Sequence, residues 1–305
     1  MKIIANYKNG NTVNTLYEDG TLERTFTDKN VIVEFPSSID LKITNYCDAK
    51  CSYCHEQSTI KGQHSDINKL LSVINVLPAG IELAIGGGSA QSHPDFSYFI
   101  STIREKGYIP NITVNQKHLK QDYNIFKKHI NDIFGIGISY SSTSYLEDIE
   151  EYIKLSDNIV FHLIMGINKI SDIDILNDLC KKHNKQCKVL VLGYKNYGFG
   201  INYYVKNKSI EDNKYQWFIK IPKYIGKDVV VSFDNLAIDQ LKLKRLFTEE
   251  GWKKFYMGDD FTFTMYIDAV KQEYAPTSTS KNRVSFDTMD LLTFFNSYKN
   301  TWTNV

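Results

Sequence analysis

The sequence predicts an α/β protein: a partial (β/α)6 TIM-like barrel with an N-terminal β-hairpin and a C-terminal α+β extension. Two observations carry this expectation. Through the middle of the chain, short β-branched runs alternate with amphipathic helical stretches, the order that gives a parallel sheet through right-handed crossovers. Both ends lack that rhythm. The expected division is residues 1–36 as a β-ribbon, 37–200 as the barrel core and 201–305 as an extension completing or covering the barrel.

In chain order, the ribbon is signalled by Tyr17-Glu-Asp-Gly20, a hairpin turn between two polar, Thr-rich runs. Six core strands follow, at 41–46, 81–85, 111–115, 135–140, 160–166 and 188–193. Between them, Ser65 is placed to cap a helix with the apolar stripe Ile67, Leu70, Leu71, Ile74 and Leu77. Ser92, with Pro94 behind it, opens one carrying Phe96, Phe99, Ile100 and Ile103 that stops at Gly107. Ser171 opens one carrying Ile173, Leu176, Leu179 and Cys180. Farther on, 229–233 and the alternating stretch Phe261 to Asp268 read as strands, and Pro276 to Lys281 as a polar loop.

Composition fits an intracellular enzyme. Of 305 residues, 42% are hydrophobic and 23% charged, ordinary globular usage, and no apolar run is long enough to span a bilayer. A net charge of +1 argues against binding to a phosphate backbone as the main task. Five cysteines without an opening signal peptide do not suggest a disulfide framework, so a cytoplasmic location is expected.

The most specific feature is Cys47-Asp-Ala-Lys-Cys51-Ser-Tyr-Cys54, directly after the first core strand. Three thiolates on a cubane [4Fe–4S] cluster leave one iron with an open position that can bind a reactant. The alternative is a zinc-binding interaction module with His55 or His64 as fourth ligand. Zinc sites of this kind usually use two C-x2-C pairs, and the sequence has no second pair.

The C-x3-C-x2-C spacing, with Tyr53 just before the third cysteine, resembles the radical S-adenosylmethionine (radical SAM) superfamily, and the likeness extends over roughly residues 40 to 195. It implies that Cys47, Cys51 and Cys54 hold the cluster, that SAM occupies the fourth iron position, and that reductive cleavage to a 5′-deoxyadenosyl radical starts hydrogen abstraction from a substrate carbon. An oxygen-sensitive protein and an external electron donor of flavodoxin or ferredoxin type are further implications. The implied substrate is a peptide side chain or a small molecule, alternatively a nucleoside- or deazapurine-type metabolite. Gly86, Gly87 and Gly88, followed by Ser89, stand where the superfamily has Gly-Gly-Glu-Pro, which keeps backbone approach to the methionine ammonium and removes the glutamate side chain. Asn115, after Thr113, and Ser139 end the third and fourth strands, where the resemblance implies polar contacts to SAM. Tyr53 corresponds to the aromatic residue beside the adenine.

Strand parity adds three candidates facing the lumen: Lys42, Glu82 and His162. Lys42 and Glu82 are expected to neutralise each other beneath the substrate, and His162 to orient substrate or move a proton. His55-Glu56 follows the third cysteine and suits a hydrogen bond that tunes the cluster. The loop 193–200, rich in glycine and aromatic residues, suits substrate contact or lid movement. Cys180 and Cys187 are expected in the core and at the barrel floor, away from the chemistry, and two cysteines are too few for an auxiliary cluster.

Overall fold

The computed structural model describes residues 1–26 and 31–299. The chain opens with three antiparallel strands, β1 (Ile3–Asn9), β2 (Thr12–Tyr17) and β3 (Leu22–Phe26), rather than a single hairpin. The Tyr17 to Gly20 turn joins β2 to β3 as expected. The other turn is Gly10-Asn11, between the paired Asn9 and Thr12, where Gly10 takes a left-handed φ of 61° and a Cβ would clash with the Ile32 carbonyl.

Seven further strands run in parallel: β4 (Ser38–Thr44), β5 (Glu82–Gly87), β6 (Ile109–Asn115), β7 (Gly135–Ser139), β8 (Ile159–Ile164), β9 (Lys188–Leu192) and β10 (Val230–Phe233). Beyond β4 the sheet continues through the parallel strand β11 (Thr264–Asp268) and the antiparallel β12 (Glu273–Ala275) and β13 (Val284–Ser285). The six expected core strands are thus β4 to β9, flanked by two parallel strands from the last third of the chain. The first of them ends at Thr44 rather than at residue 46, because the chain leaves the sheet there for the cysteine loop.

Helices α1 (Ile67–Ile74), α2 (Phe96–Glu105), α3 (Leu119–Lys128), α4 (Leu146–Leu155) and α5 (Asp172–Lys182) fill the crossovers. In α1, Ile67, Leu70, Leu71 and Ile74 are buried as the sequence pattern requires, each side chain contributing on the order of 1.5–3 kcal/mol. The expected caps move slightly. Asp66, not Ser65, accepts from Lys69 N at 3.0 Å, its carboxylate standing one residue nearer the first turn. Residues 90–92 form a separate 3-10 turn, so α2 starts after Asp95 instead of Ser92, and Ser171 precedes α5 without a side-chain capping bond. The last third adds α6 (Phe199–Lys206), α7 (Ser209–Lys220), α8 (Asn235–Leu241), α9 (Glu249–Phe255) and α10 (Leu291–Tyr298).

Alternation divides the parallel sheet into two faces. Ile39, Leu41, Ile43, Leu83, Ile85, Ile112, Val114, Ile136, Ile138, Phe161, Leu163, Val189 and Val191 form the apolar core beneath the helices. Asp40, Lys42, Glu82, Gly86, Asn111, Thr113, Asn115, Ser139 and His162 occupy the other face. That face is enclosed. Seven strand spacings of about 4.8 Å would put β10 and β11 some 34 Å apart in a flat sheet. Yet Asn235, just after β10, donates to Asp260, just before β11, at 2.8 Å, and Lys195 Nζ reaches Ser278 Oγ at 3.1 Å. The sheet therefore curls until side chains bridge its two parallel edges, with no backbone ladder between β10 and β11 among the described residues. The β1–β3 sheet covers the end where the parallel strands begin: Asn158 donates to Glu18 O and Lys188 to Asp19 O, while Arg24 stacks on Phe263.

Candidate functional site

The cysteines occupy the loop that follows β4 at the other end of the strands. The loop doubles back on itself: Cys47 N donates to Thr59 O at 3.0 Å, and Asn45 N to Gln63 O at 2.8 Å. Gly62 sits so close to Asn45 that no Cβ fits between them. Cys47, Cys51 and Cys54 are all half-buried free thiols. Cys47 and Cys51 line a pocket of about 280 Å³ together with Lys50, Ser52, Ser58, Thr59, Ile60 and Phe199. Asn115 Nδ2 donates to Cys51 Sγ at 3.4 Å, and Lys117 reaches over the same loop to Ala49 O at 2.7 Å. Burial pushes the Cys51 thiol up, and the Lys117 ammonium offsets only part of that rise.

The donor set suits an iron–sulfur cluster: three thiols on one short loop, with an amide donor and a cation at the central one. Both imidazoles considered for zinc have partners of their own, His55 Nε2 near Glu56 at 3.5 Å and His64 Nδ1 against Thr44 Oγ at 2.8 Å.

The glycine run lies beside this loop, at the end of β5. Gly87 has φ 110°, and a Cβ would meet Thr44 O and the Lys42 chain; at Gly88 it would meet Tyr46 O. Packing against β4 and the cysteine loop thus explains both. Gly86 differs, since a Cβ there would meet nothing nearer than Thr113 at 4.0 Å, so its bare backbone faces open space in the enclosure. Asn115, Ser139 and His162 stand in register on β6, β7 and β8, a polar row at one level. The His162 ring lies over Gly137, where a Cβ would come within 2.5 Å of it, and burial lowers its imidazole to about 4. Tyr53 packs edge-on against Tyr203 of α6 at 5.6 Å and hydrogen-bonds Ser141.

The expected pairing of Lys42 with Glu82 does not form. Lys42 stands beside Gly86 in the ladder, four residues farther along than Ser38, the partner of Glu82. Lys42 Nζ instead meets Glu56 at 2.8 Å and Asp268 at 3.3 Å. Glu82 accepts from Asn111 at 3.1 Å with Arg24 nearby, and burial raises its carboxyl. Glu56 also accepts from Tyr266 at 3.1 Å. Burial alone would raise Glu56, but the hydrogen bond from His55 and the Lys42 ammonium together hold it well below the usual carboxylate range. Burial itself lowers the His55 imidazole, so Lys42 is the lasting positive partner.

Tyr266, Asp268 and Lys117 belong to this site but were not singled out from the sequence, whereas Phe199 falls within the loop 193–200 that was. The alternation from Phe261 to Asp268 already put Tyr266 and Asp268 on one face. Loop 193–198 and α6 lie against the cysteine loop, where Phe199 N donates to Cys54 O at 3.0 Å. Cys180 and Cys187 are buried, hydrogen-bonded to each other where α5 leads into β9.

No protein-family model matches the chain, and no curated protein matches it in sequence. Solved structures of SuiB from Streptococcus suis match its fold. SuiB bound to S-adenosylmethionine gives a TM-score of 0.60 at 12% identity, and SuiB bound to its precursor peptide SuiA gives 0.59 at 12%. Both alignments cover 87% of this chain, which spans only 65–66% of SuiB's length.

Proposed function

We propose that this chain is a radical SAM enzyme with a single [4Fe–4S] cluster held by Cys47, Cys51 and Cys54, acting on a peptide side chain. The carrying observation is the placement of the three-cysteine loop: it sits at the end of β4, beside the open backbone of Gly86 and the polar row Asn115, Ser139 and His162. The curled sheet supports a partial (β/α) barrel over residues 37–200, floored by 1–36 and completed by 201–305. The loop position agrees with the general rule that such folds work at the C-terminal ends of their strands.

When bound, the cluster and SAM supply an electron and a 5′-deoxyadenosyl radical that removes hydrogen from a substrate carbon. The chain's own residues bind, orient and shield. Gly86 lets a ligand approach the main chain, Asn115 donates to Cys51, and Tyr53 spans from the loop to Ser141. Neutral His162 stands in the enclosure, able to accept a hydrogen bond or a proton from substrate. The Lys42, Glu56 and Asp268 network anchors the loop from below. The peptide assignment is supported by the SuiB complex with its precursor peptide; a small-molecule or nucleoside-type substrate is the second reading. An external electron donor and a cytoplasmic setting follow from the same reading.

Anaerobic reconstitution tests the cofactor. About four irons per chain and a broad brown absorption are expected, whereas a colourless protein holding one zinc would support the binding-module alternative.

A further inference from the structure

Four consecutive residues at the end of β6 each hold part of the cysteine loop or of what it touches. Asn115 caps the 3-10 turn 116–118 by accepting from Lys117 N at 3.0 Å, which leaves its amide aimed at Cys51 Sγ. Gln116 accepts from Ser141 N and donates to Ser141 Oγ, both at 2.9 Å, and Ser141 is the partner of Tyr53. Lys117 donates to Ala49 O. His118 is buried and brings Nε2 to 2.7 Å from Asp48 Oδ1, off the line of a full hydrogen bond. Its Nδ1 finds no hydrogen-bond partner among the described residues.

Asp48 and Ala49 lie between the first two cysteines, in a turn that the local sequence does not favour. Lys50 sits there at φ 52°, a left-handed conformation that glycine adopts readily and a residue with a Cβ resists. Contacts from outside must therefore impose the shape of the turn. Lys117 holds the Ala49 carbonyl, and His118 holds the Asp48 carboxylate, which is otherwise exposed. One helical turn past His118, Asp122 accepts from Gln91 at 2.6 Å. Burial raises the Asp122 carboxyl, and the Gln91 hydrogen bond and the His118 imidazole offset part of that rise. Gln91 follows the run Gly86 to Ser89, so His118 stands between the cysteine loop and the glycine edge. We infer that His118 is a positioning residue: through Asp48 it fixes the turn that sets Cys47 and Cys51 at the separation one cluster needs. The inference rests on the cluster reading above. Each thiolate must meet its own iron, so a turn held in shape beforehand retains a cluster better than one free to move.

The test compares the anaerobically reconstituted wild type with His118→Leu, His118→Gln, Asp48→Asn and the double variant His118→Leu, Asp48→Asn. Cluster loss is followed as bleaching of the brown absorption under EDTA, the reduced cluster by its electron paramagnetic resonance, and the fold by urea midpoints taken before reconstitution. His118→Leu should lose its cluster about tenfold faster or more and show an altered resonance, with a urea midpoint near that of wild type. His118→Gln keeps a donor toward Asp48 and should recover most of the retention. Asp48→Asn should also lose its cluster faster, and the double variant no faster than the worse single one, because both changes remove the same contact. Wild-type retention in His118→Leu overturns the proposal, as does a double variant whose loss multiplies those of the two singles. Faster loss that tracks a lowered urea midpoint, with His118→Gln no better than His118→Leu, assigns His118 to packing and also overturns it. If His118→Leu does not fold, Asp48→Asn decides: faster loss at a wild-type urea midpoint supports the proposal, and wild-type retention overturns it. A wild type that takes up no iron defeats the cluster reading and the proposal with it, whereas a wild type with about four irons and unaffected variants defeats the proposal alone.

Discussion

Lys42 Nζ stands 2.8 Å from Glu56 Oε2, joining the first core strand to the loop two residues past the third cysteine. Both side chains are nearly out of solvent, and Asp268 of β11 completes the group at 3.3 Å from the same ammonium. Replacing Lys42 by Met leaves the buried Glu56 without its ammonium partner and Asp268 with Arg283 alone, at 3.9 Å. A loss of about 3–5 kcal/mol is expected, read from urea unfolding. A loss below about 1 kcal/mol would mean that water screens the pair.

Glu56 also sets an acid limit. Its folded-state pKa lies below the ordinary 4.5, so the fold binds this proton less readily than the unfolded chain does. Its contribution is complete above about pH 4.5 and declines as the pH falls through the folded value. Glu56→Gln should therefore flatten the stability profile below pH 4.5 relative to wild type, measured by urea midpoints from pH 3 to 6. Parallel profiles would assign the acid loss to other carboxylates.

His162 acts in a higher window. Its folded pKa, about 4, lies below the usual 6.5, so the unfolded chain binds the extra proton between those values and stability falls as pH is lowered from 6.5 toward 4. His162→Leu should remove on the order of 1–3 kcal/mol of that pH-dependent loss. If the histidine also orients substrate, the same variant keeps its cluster and SAM cleavage but loses product.

The glycines separate ligand approach from packing. Gly87→Val should destabilise the fold itself, since φ is 110° and Thr44 O stands in the way. Gly86→Val should fold normally, because its Cβ meets open space, and should bind SAM at least tenfold more weakly. Unchanged SAM affinity in Gly86→Val would move the ligand to another edge of the enclosure.

Much of the architecture was legible in the sequence because two periods carry it. The six core strands and the buried stripes of α1, α2 and α5 follow from alternation and helical spacing, and the cysteine motif fell at the end of β4. Parity correctly turned Glu82 and Lys42 into the enclosure but could not set their heights. Lys42 lies in the layer of Gly86, so its partners came from Glu56 in the loop and from Asp268, more than 200 residues away in sequence. Such long-range pairings leave no local signal. The extra strands β10 and β11 were both read from the sequence, β11 from its alternation, but their places in one sheet depend on long-range pairing. The Gly10-Asn11 turn was there to be read and separates a three-stranded sheet from a single hairpin.

Cys180 and Cys187 face each other in the core, far in sequence from the cluster loop, and neither lies on the enclosed face. The double variant Cys180→Ala, Cys187→Ala should keep its iron and its SAM cleavage and lose about 1–3 kcal/mol of stability from the vacated core volume. Intact SAM cleavage with an aberrant product would instead assign one of these thiols to hydrogen return.

On the proposed reading, three thiols hold a cluster that cleaves SAM. The most direct measurement is 5′-deoxyadenosine formed from SAM by the anaerobically reconstituted, dithionite-reduced protein, with Cys51→Ala alongside. 5′-Deoxyadenosine is expected from the wild type and none from the variant, which should also fail to retain about four irons. A wild type that holds its full iron content and yields no 5′-deoxyadenosine, or a Cys51→Ala variant that yields as much as wild type, would contradict it.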